Sequence, residues 1–136
     1  MYLVDTSVWI DFLNGKDTPA TDFLDSLIQT PALVSINAQI YLEILQGARN
    51  DSGFTKLQTY FSTQTIHRFV DEVAASEAAA QLYCQARQRG ITLRSSLDCL
   101  IAQSALEHDL ILLHHDRDFL HLDRMLPALK QKTFLK

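Results

Sequence analysis

The sequence predicts an α/β fold of three layers (α/β/α) around a central parallel sheet of four to five strands. Three observations lead there. Short apolar runs alternate along the chain with longer stretches of helical pattern, the arrangement that builds a parallel sheet with helices on its faces. The apolar runs are continuous rather than alternating, as in strands covered on both sides. The chain has 136 residues and no repeat, low-complexity tract or linker-like segment, which argues for one domain over residues 1–136. That length lets a chain bury roughly two thirds of its exposable surface.

In order, Tyr2-Leu3-Val4 is the opening strand, followed by a helix over about 7–14. A second helix, over about 19–29, leads to Pro31, after which Ala32-Leu33-Val34 reads as the second strand. Helical patterns over about 36–49 and 53–62 precede the β-rich run Thr65-Ile66-His67-Arg68-Phe69. The helix over about 71–89 is well signalled: Asp71 and Glu72 stand at its positive end, Arg87 and Arg89 at its negative end, and Gly90 stops it. A helix over about 96–108 feeds the unbroken apolar strand Leu110-Ile111-Leu112-Leu113. Thr133-Phe134-Leu135 is the candidate fifth strand.

Composition narrows the function classes. Apolar residues make up 47% and charged residues 21%, within the ordinary globular range. Two cysteines, Cys84 and Cys99, give neither a disulfide framework nor a CxxC metal knuckle, and a reducing, cytoplasmic setting is expected. Met1 to Asp5 lacks the basic start of a signal peptide. The longest uncharged stretch, Ser26 to Leu42, holds Pro31, Asn37 and two glutamines, so no membrane span is expected. Twelve Lys+Arg against sixteen Asp+Glu give a formal charge of −4, which argues against binding nucleic acid by a broad basic face.

The placement of four acids is the informative feature. Asp5 directly follows the first strand and Asp116 closely follows the fourth. In an open parallel sheet, ligands bind in the crevice beyond the carboxyl ends of the strands. Helical spacing puts Glu43 on one face with Ile36, Ile40, Ile44 and Gly47, and puts Asp98 on one face with Ile101, Ala102, Ala105 and Leu106. A carboxylate on a core-facing stripe is costly unless it is paired, hydrogen-bonded or bound to a cation. Taken singly, Asp5, Asp98 and Asp116 are also good helix caps, and Ser95-x-x-Asp98 has the spacing of a capping box; Glu43, in mid-helix, is not a cap. Converging carboxylates suit the hard cations Mg²⁺ or Mn²⁺, which would present positive charge to a phosphodiester.

Four segments resemble one family. Val4-Asp5-Thr6-Ser7-Val8-Trp9-Ile10, Leu42-Glu43-Ile44-Leu45-Gln46-Gly47, Asp98-Cys99-Leu100-Ile101-Ala102 and Leu112-Leu113-His114-His115-Asp116-Arg117-Asp118-Phe119 are similar, in order and spacing, to the motifs of PIN-domain ribonucleases of the VapC toxin type. The resemblance implies a PIN-like fold in which Asp5, Glu43, Asp98 and Asp116 are the catalytic, metal-binding acids. It implies Mg²⁺, with Mn²⁺ as substitute, and endonucleolytic cleavage of a tRNA or rRNA loop to 5′-phosphate and 3′-hydroxyl ends. It also implies a homodimer, a VapB-type antitoxin that neutralises the toxin, and a larger complex of the two on operator DNA. The family often carries Thr or Ser where His114 stands, a place from which the imidazole could orient water; Asp118 matches a second acid whose contact with metal is left open.

Two other activities fit parts of the pattern. A haloacid-dehalogenase-type phosphotransferase would use Asp5 as nucleophile, but expects an acid where Ser7 stands. A structure-specific DNA nuclease shares the acidic chemistry but needs gripping elements for which this chain has no room. Cys84 and Cys99 read as structural, and His114, His115 and His121 as solvated loop residues rather than zinc ligands. Arg49, Arg87, Arg89 and above all Arg94 are candidates to line an approach path for RNA. Trp9, Phe12, Phe23, Leu27, Tyr41 and Leu45 suggest an aromatic groove for an antitoxin helix, with ordinary core packing as the competing reading.

Overall fold

A computed structural model describes residues 1–136. Five strands, β1 (Tyr2–Val4), β2 (Val34–Asn37), β3 (Thr65–His67), β4 (Ile111–Leu113) and β5 (Lys130–Lys132), form one sheet in the order β3-β2-β1-β4-β5. Every neighbouring pair is parallel. All four residues of β2 are buried although successive side chains point to opposite faces, so helices cover the sheet on both sides and the three-layer expectation holds. The helices are α1 (Thr6–Leu13), α2 (Pro19–Ile28), α3 (Ala38–Gln46), α4 (Asp51–Phe61), α5 (Glu72–Gln88), α6 (Leu97–Glu107) and α7 (Arg117–His121).

The strand order determines where a ligand can sit. From β1 the chain moves outward through β2 and β3, then returns to the other side of β1 for β4 and β5. The order therefore reverses between β1 and β4, and a crevice opens beyond the carboxyl ends of those two strands. The Asp5 amide donates to the Leu113 carbonyl at 2.9 Å, which ties the ends of β1 and β4 together at that point.

Several boundaries differ from the sequence reading, each for a local reason. Pro31-Ala32-Leu33 winds into a 3₁₀ turn, so β2 starts at Val34 and runs to Asn37. Asn37 then caps α3: its side chain accepts from the Ile40 amide at 2.9 Å and delays the helix to Ala38. β3 ends at His67, two residues early. The fifth strand is the polar Lys130–Lys132 rather than 133–135; an edge strand with two lysines carries no apolar signal. α7 is a single short helix with no periodicity to detect. The long helix α5 matches its signals closely, with Asp71 accepting from the Ala74 amide at 3.0 Å and Gly90 at φ +76° beyond its end.

The core holds the sheet in place. Trp9 and Phe61 are both fully buried, with ring centroids 4.9 Å apart in an edge-to-face arrangement. Trp9 and Leu27 thus belong to the core, not to an exposed aromatic groove. An open apolar groove does exist beside them, a cavity of about 480 Å³ between α1, α3 and α4, but Ile10, Leu13, Ile44, Leu57 and Tyr60 line it. No helix is long and apolar enough to cross a membrane.

Candidate metal centre

All four acids singled out in the sequence stand around the crevice. Asp5 is buried as the N-cap of α1, where its Oδ2 accepts from the Ser7 amide at 3.0 Å and from the Ser7 hydroxyl at 2.6 Å. The same Ser7 hydroxyl accepts from the His115 amide at 2.9 Å, so one small side chain links the start of α1 to the segment after β4. Glu43 lies on α3, half-buried, and accepts from the Thr6 hydroxyl at 3.0 Å. Asp116 is the N-cap of α7, its Oδ1 accepting from the Asp118 amide at 2.9 Å.

Asp98 differs from these three. It is 7% exposed in the first turn of α6, and no protein group donates to its carboxylate. The capping-box reading fails here: Ser96, not Ser95, is the N-cap, and it makes no side-chain capping bond. Instead the Ser95 hydroxyl accepts from the Leu97 amide at 3.1 Å. Burial pushes the Asp98 carboxyl up to about 8, with further upward pressure from Asp5, Asp116, Asp118 and Glu43. Burial likewise lifts Asp5 to about 6, against the downward pull of its bonds from Ser7. Glu43 is raised as well, first by burial and then by Asp116.

These mutual effects put five carboxylates in one electrostatic neighbourhood. The tightest group is Asp98, Asp116 and Asp118, each of which offers an oxygen within 4.8 Å of the others'. Asp118, left open by the sequence, is therefore a full member of the cluster; the signal was its spacing two residues after Asp116. Asp5 and Glu43 flank this trio. A buried carboxylate with no donor, facing two more at such distances, offers an all-oxygen donor set that a divalent cation could occupy.

Two further residues shape the cluster. Arg94 spans its rim: Nη2 donates to Asp116 Oδ2 at 2.7 Å, while Nε and the backbone amide donate to Asp118 Oδ2 at 3.3 and 3.1 Å. His114 is fully buried, contrary to the solvated reading. Its Nδ1 accepts from the Asp116 amide at 3.2 Å, and its Nε2 donates to the Gln131 side-chain oxygen at 2.8 Å. Both ring nitrogens are thus used within the protein, and neither is left to orient water. Gln131 in turn donates to the Phe119 carbonyl at 3.1 Å and pins α7 to β5. No sequence signal marked Gln131, because its role depends on a polar edge strand. His115 and His121 are exposed, as expected, although His121 ends helix α7 rather than lying in a loop. Cys99 is buried, its thiol pushed up to about 11 by burial, which bears out a structural role; Cys84, by contrast, is exposed on α5.

Known proteins match this chain along most of its length. Residues 2–125 match the family model described as PIN domain. A VapC ribonuclease of Mycobacterium bovis is 34% identical over 120 residues, covering 88% of this chain and 89% of its own. A protein named ribonuclease VapC11, from Mycobacterium tuberculosis, matches with the same identity and coverage. Among solved structures, a VapBC2 complex from Rickettsia felis bound to a fragment of its promoter DNA is similar in fold, with a TM-score of 0.73, 16% identity and 98% of each chain covered. The FitAcB structure from Neisseria gonorrhoeae gives a TM-score of 0.69 at 20% identity, covering 96% of each chain.

Proposed function

This chain belongs to the PIN-domain family, among the VapC ribonucleases, and on that premise we propose that it is a metal-dependent endoribonuclease toxin. The observation that carries this reading is Asp98: a buried carboxylate with no protein donor, next to Asp116 and Asp118. Asp5, Glu43, Asp98 and Asp116 are the catalytic acids, with Asp118 beside them, and Mg²⁺ is the cofactor for which Mn²⁺ substitutes. When bound, such a dication supplies positive charge against the phosphodiester oxygens and makes a water molecule more acidic.

The chain's own residues prepare this chemistry. Ser7 fixes Asp5 in one rotamer and holds the segment carrying Asp116 against β1. Thr6 orients Glu43 across the crevice from α1. His114 and Gln131 hold the Asp116 backbone from behind. Arg94 reaches the rim with a guanidinium suited to a phosphate oxygen. Hydrolysis breaks the bond between phosphorus and the 3′ oxygen, which takes up a proton; a hydroxyl from water joins the phosphorus. One fragment ends in a 3′-hydroxyl and the other begins with a 5′-phosphate. A tRNA or rRNA loop is the substrate class, since unpaired nucleotides can enter a crevice that a duplex cannot.

A VapB-type antitoxin, which completes the toxin–antitoxin pair, is the protein partner. The groove lined by Ile10, Leu13, Ile44, Leu57 and Tyr60 supports this, because it offers an apolar seat for an amphipathic segment between α1, α3 and α4. A homodimer, and its assembly with antitoxin on operator DNA in the cytoplasm, complete the reading. The complexes named for its structural relatives support that assembly. No observation favours the phosphotransferase or DNA-nuclease alternatives.

The test is cleavage of total tRNA and rRNA by the purified protein, with 5′ ends mapped. Native protein cuts at defined loops, EDTA stops the reaction, Mn²⁺ restores it, and Asp98→Asn is inactive. Equal cleavage by Asp98→Asn would refute the assignment.

A further inference from the structure

Twelve basic residues are outnumbered by sixteen acids in this chain, yet the walls of one series of surface cavities include no acid. Three cavities follow one another around the junction of α5 and α6. The first, about 570 Å³, lies beside the acid cluster and includes Arg94, Tyr83 and Arg87 in its wall. The second, about 190 Å³, shares Tyr83 and Arg87 with the first and adds Gly90 and Thr92. The third, about 500 Å³, shares Gly90 and Thr92 with the second and ends at His121 and Arg124. Because each cavity shares wall residues with the next, they form one trough that starts at the rim of the metal centre. No aspartate or glutamate lines it.

The trough also contains a built aromatic platform. The Arg87 guanidinium lies over the Tyr83 ring, 5.9 Å from its centroid, and donates toward the Cys84 sulfur at 3.7 Å. Tyr83 is half-buried and packs against the core, so its ring is held in place. Arg87 is exposed and free of any carboxylate partner. A fixed ring beside an unpaired guanidinium group is a combination that binds single-stranded nucleic acid: bases stack on the ring and the cation meets a phosphate.

We propose that this trough is the binding track for the single-stranded RNA flanking the cleaved bond, with Tyr83 stacking on a base and Arg87 and Arg124 contacting phosphates. The strand enters the metal centre past Arg94 and leaves along the α5–α6 junction. This deepens the ribonuclease reading and rests on it. It also explains how an acidic protein holds a polyanion: Arg87, Arg94 and Arg124 line one path whose walls contain no acid. Tyr83 and Arg87 are positioning residues, since they touch flanking nucleotides and not the reacting phosphate.

The experiment measures fluorescence anisotropy of a labelled 12-nucleotide single-stranded RNA against the full chain, in an Asp98→Asn background to keep the strand intact. Tyr83→Ala weakens binding about tenfold, the loss of one stacked base, and Tyr83→Phe restores it. Arg87→Ala, an exposed change that leaves the fold intact, weakens binding about fivefold and lowers the slope of log affinity against log salt by about 0.7. Lys130→Gln removes the same charge at the start of β5, on the opposite edge of the sheet, and leaves binding unchanged. Equal losses for Arg87→Ala and Lys130→Gln, or full binding by Tyr83→Ala, would overturn the proposal. A native protein that binds the strand through Tyr83 and Arg87 but never cuts RNA would overturn the ribonuclease reading and leave the track standing. A protein that cuts RNA while both variants bind normally would do the reverse.

Discussion

Helix α6 has an aspartate at each end, and the two meet opposite fates. Asp98 lies in its first turn, where the helix dipole favours a negative charge; Asp109 lies just past its last turn, where the dipole opposes one. The dipole alone would lower the first and raise the second. The reverse is found. Asp98 is buried, lacks a donor and is pushed up to about 8. Asp109 is exposed, accepts from Lys130 Nζ at 2.8 Å and is held below its ordinary value by that ammonium. Asp109 even adopts φ +52°, a left-handed conformation that aspartate tolerates better than most residues. At the amino edge of the sheet the fold gives Asp109 a counter-charge from within; at the carboxyl edge Arg94 pairs with Asp116 and Asp118, and Asp98 is left without one among more acids. A folded chain tolerates such a cluster when the missing partner comes from solution.

Substitution at the two ends of α6 should separate them most widely in activity. Asp98→Asn lowers RNA cleavage by about a thousandfold or more, whereas Asp109→Asn leaves it within about twofold, measured as initial rates on one tRNA substrate. Comparable rates for the two variants would erase the distinction.

Stability against pH sharpens the comparison further. In metal-free protein, Asp98 keeps its proton up to about pH 8, whereas the unfolded chain releases it near 3.8. The folded state therefore binds more protons across that interval, and stability falls as pH rises through it. Asp5, raised to about 6, adds to the fall over its lower half. Asp98→Asn removes the larger part of this slope and raises the melting temperature at pH 8, without metal, by about 5 °C. Asp109, being lowered, contributes with the opposite sign: its small benefit is present above the ordinary carboxylate range and is lost as pH falls. Thermal melts of the native and variant proteins from pH 2 to 8 in EDTA check both signs, Asp109 at the acid end and Asp98 above it.

The smallest effect concerns Arg94, the one cation at the carboxyl edge that touches the cluster. Its side chain is 74% exposed, so its ion pairs with Asp116 and Asp118 are weak. Arg94→Ala should therefore tighten Mn²⁺ binding by only about two- to fivefold, since the arginine competes for oxygens that the metal needs. Weaker binding by Arg94→Ala would mean that the arginine positions the acids rather than competing for them.

The carboxyl edge was more legible in the sequence than the rest of the site. Asp5 and Asp116 follow continuous apolar runs that read as strands covered on both faces, and Asp98 interrupts a helical stripe that is otherwise core. Burial is periodic, so a misplaced charge shows against it. Glu43 was found in the same way, although it is only half-buried. The parts that escaped depend on contacts between distant segments with no pattern of their own. His114 read as a loop histidine because nothing in its neighbourhood announces Gln131, seventeen residues on in a polar strand. Phe134 and Leu135 give 133–135 the apolar look of a strand, yet the sheet takes Lys130–Lys132, whose backbone fits the edge of β4 in register. The aromatic groove failed for a related reason: Trp9 is apolar on its helix either way, and only the packing of Phe61 against it shows that the space is filled.

Calorimetric titration of the native chain with Mn²⁺ at pH 7, in two buffers of different ionisation enthalpy, tests most directly whether the carboxyl edge is built around an absent cation. The native protein should take up Mn²⁺ and release about one proton, the one that Asp98 holds in the metal-free state, while Asp98→Asn should bind at least about tenfold more weakly and release less. No uptake by the native protein, or the same affinity and proton count for Asp98→Asn, would contradict the account.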